Sequence, residues 1–114
     1  MSEDLRIAVL LSLQRALWQQ VTPDLRGVAV TWTGELDAGA DVRVRFLYEG
    51  AVADLQKECV SEAETYFAAD FGEDLSTVFT AVPDAGLELE QDEEWVFLRW
   101  EPTPEMPDRP VTPL

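Results

Sequence analysis

The feature of this sequence that most constrains its fold is a repeated change in the spacing of the apolar residues. Residues 3–20 and 51–71 carry them at intervals of three and four, which predicts two amphipathic helices. Alternation, or a short apolar run between turn residues, predicts four strands, at residues 26–33, 42–48, 75–82 and 95–100. The predicted order is therefore α-β-β-α-β-β.

Each predicted helix has an inward face that its spacing defines. In the first helix this face comprises Ile7, Leu10, Leu11, Leu17, Trp18 and Val21. Further apolar positions widen the surface, so we expect this helix to be covered on more than one side: Leu5, Val9 and Leu13. The predicted inward residues of the second helix are Val52, Leu55, Cys59, Ala63, Tyr66 and Phe67.

Two helices and four strands fit a two-layer α+β sandwich. We expect a four-stranded, mainly antiparallel sheet with both helices on one face, formed by residues 1–101 as a single domain. The other face is expected to be open to water and to present Thr31, Thr33, Arg43, Arg45 and Arg99. Residues 102–114 hold five of the seven prolines and are predicted to form a frayed tail.

Composition sets the cellular context that we expect. A chain of 114 residues can bury one ordinary core, and its single cysteine, Cys59, cannot form an internal disulfide. The first residues lack the basic start and apolar stretch of a signal peptide, and no later run approaches a membrane span. These features predict a cytoplasmic protein that does not enter membranes.

Negative charge is concentrated in one part of the chain. The net charge is −15, and residues 49–94 hold fourteen acidic residues against one base, Lys57. Such a stretch repels nucleic acid and anionic membranes and attracts basic surfaces. We therefore expect a basic protein partner and no nucleic acid.

Few residues offer catalytic chemistry. The chain contains no histidine, and it has no phosphate-binding loop, cysteine pair or calcium-loop motif. We predict a protein that is not an enzyme and needs no cofactor or metal. A small enzyme that depends on paired carboxylates is the alternative from another functional class.

The candidate partner-binding residues come from the acidic stretch. On the second helix they lie four residues apart and point outward: Asp54, Glu58 and Glu62. In the connector between the last two strands, which we expect near the same side, they are Glu88, Glu90, Asp92, Glu93, Glu94 and the adjoining Trp95. A solvated helix face is the alternative for the first set. Cys59 and most of the tryptophans are predicted core residues, with Trp95 or Tyr66 as candidate anchors.

Parts of the sequence resemble a family of small bacterial immunity proteins that accompany polymorphic toxins of the contact-dependent growth inhibition type. The similar segments, within residues 5–101, are Leu17, residues 21–28, residues 46–50, residues 62–64, residues 68–71 and residues 94–101. The resemblance implies a cytoplasmic protein that blocks a cognate toxin domain, often a nuclease. It transfers no contact residue, because the residues that contact the partner vary with the toxin in such families. The acidic positions named above come from the charge distribution alone.

A second binding function fits an acidic protein of this size. A DNA-mimic inhibitor of a restriction or DNA-binding protein would space its carboxylates like phosphates along an extended surface. A compact acidic patch around a hydrophobic centre would instead favour toxin binding.

Overall fold

A computed structural model describes residues 3–35 and 39–101. Its main elements are α1 (Glu3–Ala16), β1 (Leu25–Glu35), β2 (Gly39–Tyr48), α2 (Asp54–Ala69), β3 (Leu75–Val82) and β4 (Glu94–Leu98). The predicted α-β-β-α-β-β order and the α+β class are confirmed. The central part of the β1–β2 loop and the proline-rich tail at 102–114 lie outside the described residues.

The four strands form one sheet in the order β3-β2-β1-β4. Strand β1 pairs antiparallel with β2 and with β4, whereas β2 and β3 run parallel from Ala40 opposite Leu75 to Leu47 opposite Val82. The expectation of a mainly antiparallel sheet is therefore wrong, because the sheet is mixed. Helix α2 connects β2 to β3, and a helical crossover is long enough to return the chain in the same direction.

Both helices pack on one face of the sheet, as predicted. The core between the layers takes alternate residues of the central strands, from Val28, Val30 and Trp32 on β1 and from Val42, Val44, Phe46 and Tyr48 on β2. Phe67 of α2 stacks at 5.6 Å between ring centroids on Phe79 of β3. Aromatic contacts at this spacing contribute beyond the area that they bury.

Helix α1 buries only part of the apolar surface that the sequence predicted to be covered. Leu5, Val9 and Leu13 are fully buried, whereas Ile7 and Leu11 are exposed. Both arcs of the helix are apolar in sequence, so periodicity alone does not decide which arc faces the sheet. Helix α1 is covered on one side only, which corrects the expectation of a helix enclosed on more than one side.

Helix α2 is tied at its start to the turn that follows α1. The Gln56 side chain accepts a hydrogen bond from the Ala53 N–H at 3.0 Å and donates to Asp24 Oδ2 at 3.0 Å. The first contact satisfies a backbone donor that a helix start leaves free. Beyond the helix, Gly72 has a φ of +63°, in the left-handed region that glycine adopts without strain.

The connector, defined as residues 83–93, crosses the second face of the sheet. It must do so because β3 and β4 lie at opposite edges, with β2 and β1 between them. Leu47 and Ala29 point to this face and are nevertheless buried. The expected open face is therefore wrong for part of the sheet, and Thr33 and Arg43 remain exposed beyond the connector.

Candidate functional site

The acidic row is formed by Asp54, Glu58 and Glu62, on consecutive turns of α2. All three side chains are exposed, as predicted. Glu62 Oε2 accepts a hydrogen bond from the neutral Gln20 amide at 3.0 Å. Within residues 3–35 and 39–101, no cation forms an ion pair with any of the three. The row therefore presents three carboxylates whose charge is not locally compensated.

The same four-residue spacing continues along α2 to Tyr66 and Asp70. Tyr66 is 62% exposed, which corrects its predicted inward position, and the same correction applies to Leu55. Asp70 Oδ2 accepts from Ser12 Oγ at 2.6 Å and from Arg15 at 3.0 Å, so it joins the end of α2 to α1. The acidic row thus leads into an aromatic residue and then into the helix–helix junction.

Trp18 lies beside Tyr66 and is not a core residue. It is 83% exposed, although the spacing of α1 predicted it to be inward. Helix α1 ends at Ala16, so Trp18 sits in the turn that follows. We call the space between these elements the aromatic cleft, a depression of about 330 Å³ lined by Arg15, Trp18, Gln19, Gln20, Glu62 and Tyr66.

The acids of the connector have a different environment. Only 4% of the Glu93 side chain is exposed, and it accepts from Arg45 Nε at 2.7 Å and from Arg45 Nη2 at 2.6 Å. These hydrogen bonds from Arg45 lower the pKa of the Glu93 carboxyl below its usual range. Glu90 lies 3.4 Å from the same guanidinium. Arg45 therefore fastens the end of the connector to the sheet.

The remaining predicted residues of this segment are divided between the two faces. Glu94 pairs with Arg6 of α1 at 3.2 Å, on the helical side. Trp95 packs on the second face so closely that a Cβ at Gly27 would lie 2.7 Å from its ring. Trp95 is thus partly buried against the sheet, whereas Glu88 and Asp92 are exposed.

The structure does not bring the two predicted acidic sets together. The acidic row lies on the helical layer, and the connector lies across the opposite face of the sheet. The expectation that they share a side is wrong, because the strand order forces the connector across β2 and β1.

A further ion cluster that sequence reasoning missed closes the end of β4. Arg26 donates to both carboxylate oxygens of Glu101 at 3.0 and 2.8 Å, and Arg99 lies 3.1 Å from Glu101 and 3.3 Å from Glu49. The hydrogen bonds from Arg26 lower the pKa of Glu101. Arg26, Arg45 and Arg99 all lie on or beside strands, and apart from the Arg99–Glu101 pair their carboxylate partners are distant in sequence.

Cys59 lies on the side of α2 that packs against the rest of the protein and is buried, as predicted. Burial raises the pKa of its thiol, and the nearby charges of Glu62 and Glu58 add to that shift. A thiol with a raised pKa is a weak nucleophile at neutral pH.

Two searches of the geometry concern other kinds of site. Among the residues that the structure describes, no group of three or more acidic or cysteine side chains is placed to hold a metal ion. No described helix is long and apolar enough to cross a membrane.

The structure is a small α+β domain whose surface presents the acidic row and exposed aromatic side chains, and aromatic side chains are enriched at protein–protein interfaces. Residues 6–101 match the MafI2 immunity protein family, and the chain belongs to that family. It is therefore an immunity protein of a polymorphic-toxin type of system, whose role is to bind and neutralise a cognate toxin. No curated protein gives a significant match.

Proposed function

We propose that this chain neutralises a basic toxin domain, a nuclease, by covering its substrate-binding surface with the acidic row of α2. The toxin would be the variable C-terminal domain of a large secreted protein, as in contact-dependent growth inhibition. The observation that carries the proposal is a row of three uncompensated carboxylates next to exposed Trp18 and Tyr66.

The mechanism follows from what a nuclease surface must contain. It presents lysine and arginine to phosphate, so a protein with carboxylates at similar density competes for the same groups. Charge complementarity also raises the association rate, to about 10⁸–10⁹ M⁻¹s⁻¹ at low salt. Fast capture suits an inhibitor that acts in the cytoplasm before nucleic acid is cleaved. The chain itself performs no catalysis in this proposal.

The DNA-mimic alternative is less well supported by the shape of the surface. The acidic row spans eight residues of helix, about 12 Å at 1.5 Å per residue. It ends at the aromatic cleft instead of continuing as an extended line of charges. A short acidic row that borders an aromatic cleft supports a toxin partner better than a DNA-mimic function.

The test uses the toxin domain that we expect a neighbouring gene to encode. We expect the purified chain to form a one-to-one complex with that domain, to abolish its cleavage of nucleic acid, and to protect cells that express it. A matched control is the same assay with a toxin domain from an unrelated system, which should remain active. Absence of both complex and protection with the neighbouring toxin would overturn the proposal.

A further inference from the structure

The outer surface of α1 carries large apolar side chains that nothing described in the chain covers. Ile7 and Leu11 are 49% and 59% exposed, and Trp18 follows at the end of the helix as the most exposed of the large apolar residues described. Exposure of a large apolar ring such as that of tryptophan to water is unfavourable, and a partner that covers the ring removes this cost. The position of Trp18 therefore marks one end of a contact surface.

The aromatic cleft combines two ring systems with one uncompensated charge. Among the residues that the structure describes, its carboxylate, Glu62, accepts a hydrogen bond from the neutral amide of Gln20 and pairs with no cation. Arg15 also lines the cleft, but its guanidinium is held 3.0 Å from Asp70. Glu58 lies one turn away on the same face of α2, so the potential in the cleft is negative.

The chemistry of the cleft selects its occupant. An acidic side chain would be repelled by Glu62, and a purely apolar one would remove water from that carboxylate without replacing its hydrogen bonds. An arginine matches both the aromatic rings and the carboxylate of the cleft. Its aliphatic stem packs on aromatic surface, and its planar guanidinium both stacks on rings and pairs with a carboxylate. Lysine has a less suitable head group, since its compact ammonium does not stack.

We infer that the aromatic cleft is the anchor of the toxin complex and receives one arginine side chain from the basic surface of the partner, between Trp18 and Tyr66 with its head on Glu62. This inference rests on the proposed function and adds the site and the chemistry of the contact. In this arrangement the acidic row accelerates association with the partner, and the contact in the aromatic cleft slows dissociation.

The first experiment measures the dissociation constant between this chain and the neighbouring toxin domain, inactivated at its catalytic residue. Trp18→Ala should raise this dissociation constant about 30-fold or more, as the loss of an aromatic anchor does. Tyr66→Ala should raise it about 10-fold, and Tyr66→Phe, which keeps the ring, less than about threefold. Val78→Ala, a similarly exposed apolar residue on β3, is the control and should have no effect. These side chains are exposed, so thermal unfolding should be unchanged.

The second experiment identifies the occupant from the partner side. Each surface arginine of the toxin domain is replaced by alanine and by lysine, and double-mutant cycles are run against Trp18→Ala. One arginine should couple with Trp18 by about tenfold or more in affinity. Its replacement by lysine should recover only part of the binding.

The outcomes separate the inference from the proposed function. If the wild-type chain does not bind the toxin, the proposed function fails. If it binds and inhibits, but Trp18→Ala and Tyr66→Ala bind as tightly as wild type, the cleft is not the anchor and the proposed function stands. Coupling of Trp18 to an apolar toxin residue, with no coupled arginine, would overturn the assigned occupant.

Discussion

Helix α2 and the connector both carry several acidic residues, but the surroundings of these residues differ. The carboxylates of the acidic row have no cationic partner among the described residues, while Glu90 and Glu93 of the connector lie against Arg45. Glu90 and Glu93 pair with the partly buried Arg45 and hold the connector on the sheet. Within residues 3–35 and 39–101 the acidic row satisfies no arginine or lysine, which leaves its charges available to a partner.

This difference shows why a count of charges does not locate a binding surface. Charged groups that pair within the fold contribute to its stability, and their removal exposes or orphans a partner. Groups without an internal partner repel one another and are relieved by an external cation. The consequences for stability and for binding should therefore be opposite in the two regions.

The largest effect on stability should come from breaking the attachment of the connector. Glu93→Gln should lower the free energy of unfolding by about 1–3 kcal/mol, because Arg45 loses a charged acceptor in a site that is mostly shielded from water. Urea denaturation measures the change. Glu88→Gln, an exposed residue of the same segment, should stay within about 0.5 kcal/mol of wild type. Equal stability of Glu93→Gln and wild type would show that the connector acids are as dispensable as those of α2.

The Arg45–Glu93 pair should also make the free energy of unfolding depend on pH. The folded pKa of Glu93 lies below its ordinary value, about 4.3, so its stabilisation is complete above that pH and is lost as the pH falls through the folded pKa. The difference in unfolding free energy between wild type and Glu93→Gln should therefore shrink from pH 6 to pH 3. Both proteins carry the other acidic residues, so the effects of protonating those residues on the unfolding free energy cancel in the difference. A difference that is constant over this range would contradict the assignment.

A smaller effect on stability is expected from Cys59, on the buried face of α2 and away from the exposed acidic row. Cys59→Ala should cost about 1 kcal/mol in unfolding free energy from lost packing, and toxin binding by the folded protein should be unchanged. Urea denaturation and calorimetric titration measure the two quantities. Loss of neutralisation with unchanged stability would mean that the thiol has a function beyond filling the core.

The smallest effect should come from the acidic row itself. Glu58→Gln should stabilise the protein by a few tenths of a kcal/mol, because it relieves repulsion from Asp54 and Glu62, and the gain should vanish at high salt. Thermal unfolding at 20 mM and 500 mM salt checks both parts. Destabilisation by Glu58→Gln would reveal an internal role for the acidic row that resembles that of the connector.

Sequence reasoning predicted the order of elements, the two-layer class and the outward direction of the acidic row, because these depend on local periodicity. It counted both apolar arcs of α1 as covered, although only the arc with Leu5, Val9 and Leu13 is buried and the arc that contains Ile7 and Leu11 is exposed. That choice determined whether Trp18 was assigned to the core or to the surface. Which arc of α1 is buried depends on its packing against the sheet, and the periodicity of the sequence does not determine that packing.

The partners of the connector acids depend on strand order, which the sequence does not encode locally. Arg45 and Glu93 are 48 residues apart and meet only because β3 and β4 occupy opposite edges of the sheet. The predicted set that ran from Glu88 to Trp95 was therefore assembled from adjacent positions that the fold separates. Glu93 and Glu94 are neighbours in the chain, but they pair with arginines on opposite sides of the sheet.

The most direct test of the acidic row as the toxin-binding surface is the rate of association with the neighbouring toxin domain as a function of salt. Asp54, Glu58 and Glu62 are changed together to lysine, and the control changes Glu35, Asp41 and Glu88, which are exposed acids elsewhere with the same total charge change. The row variant should associate at least about tenfold more slowly than the control at 50 mM salt, with a flattened dependence up to 500 mM. Equal rates for the two variants across that range would show that the acidic row is not the surface that meets the toxin.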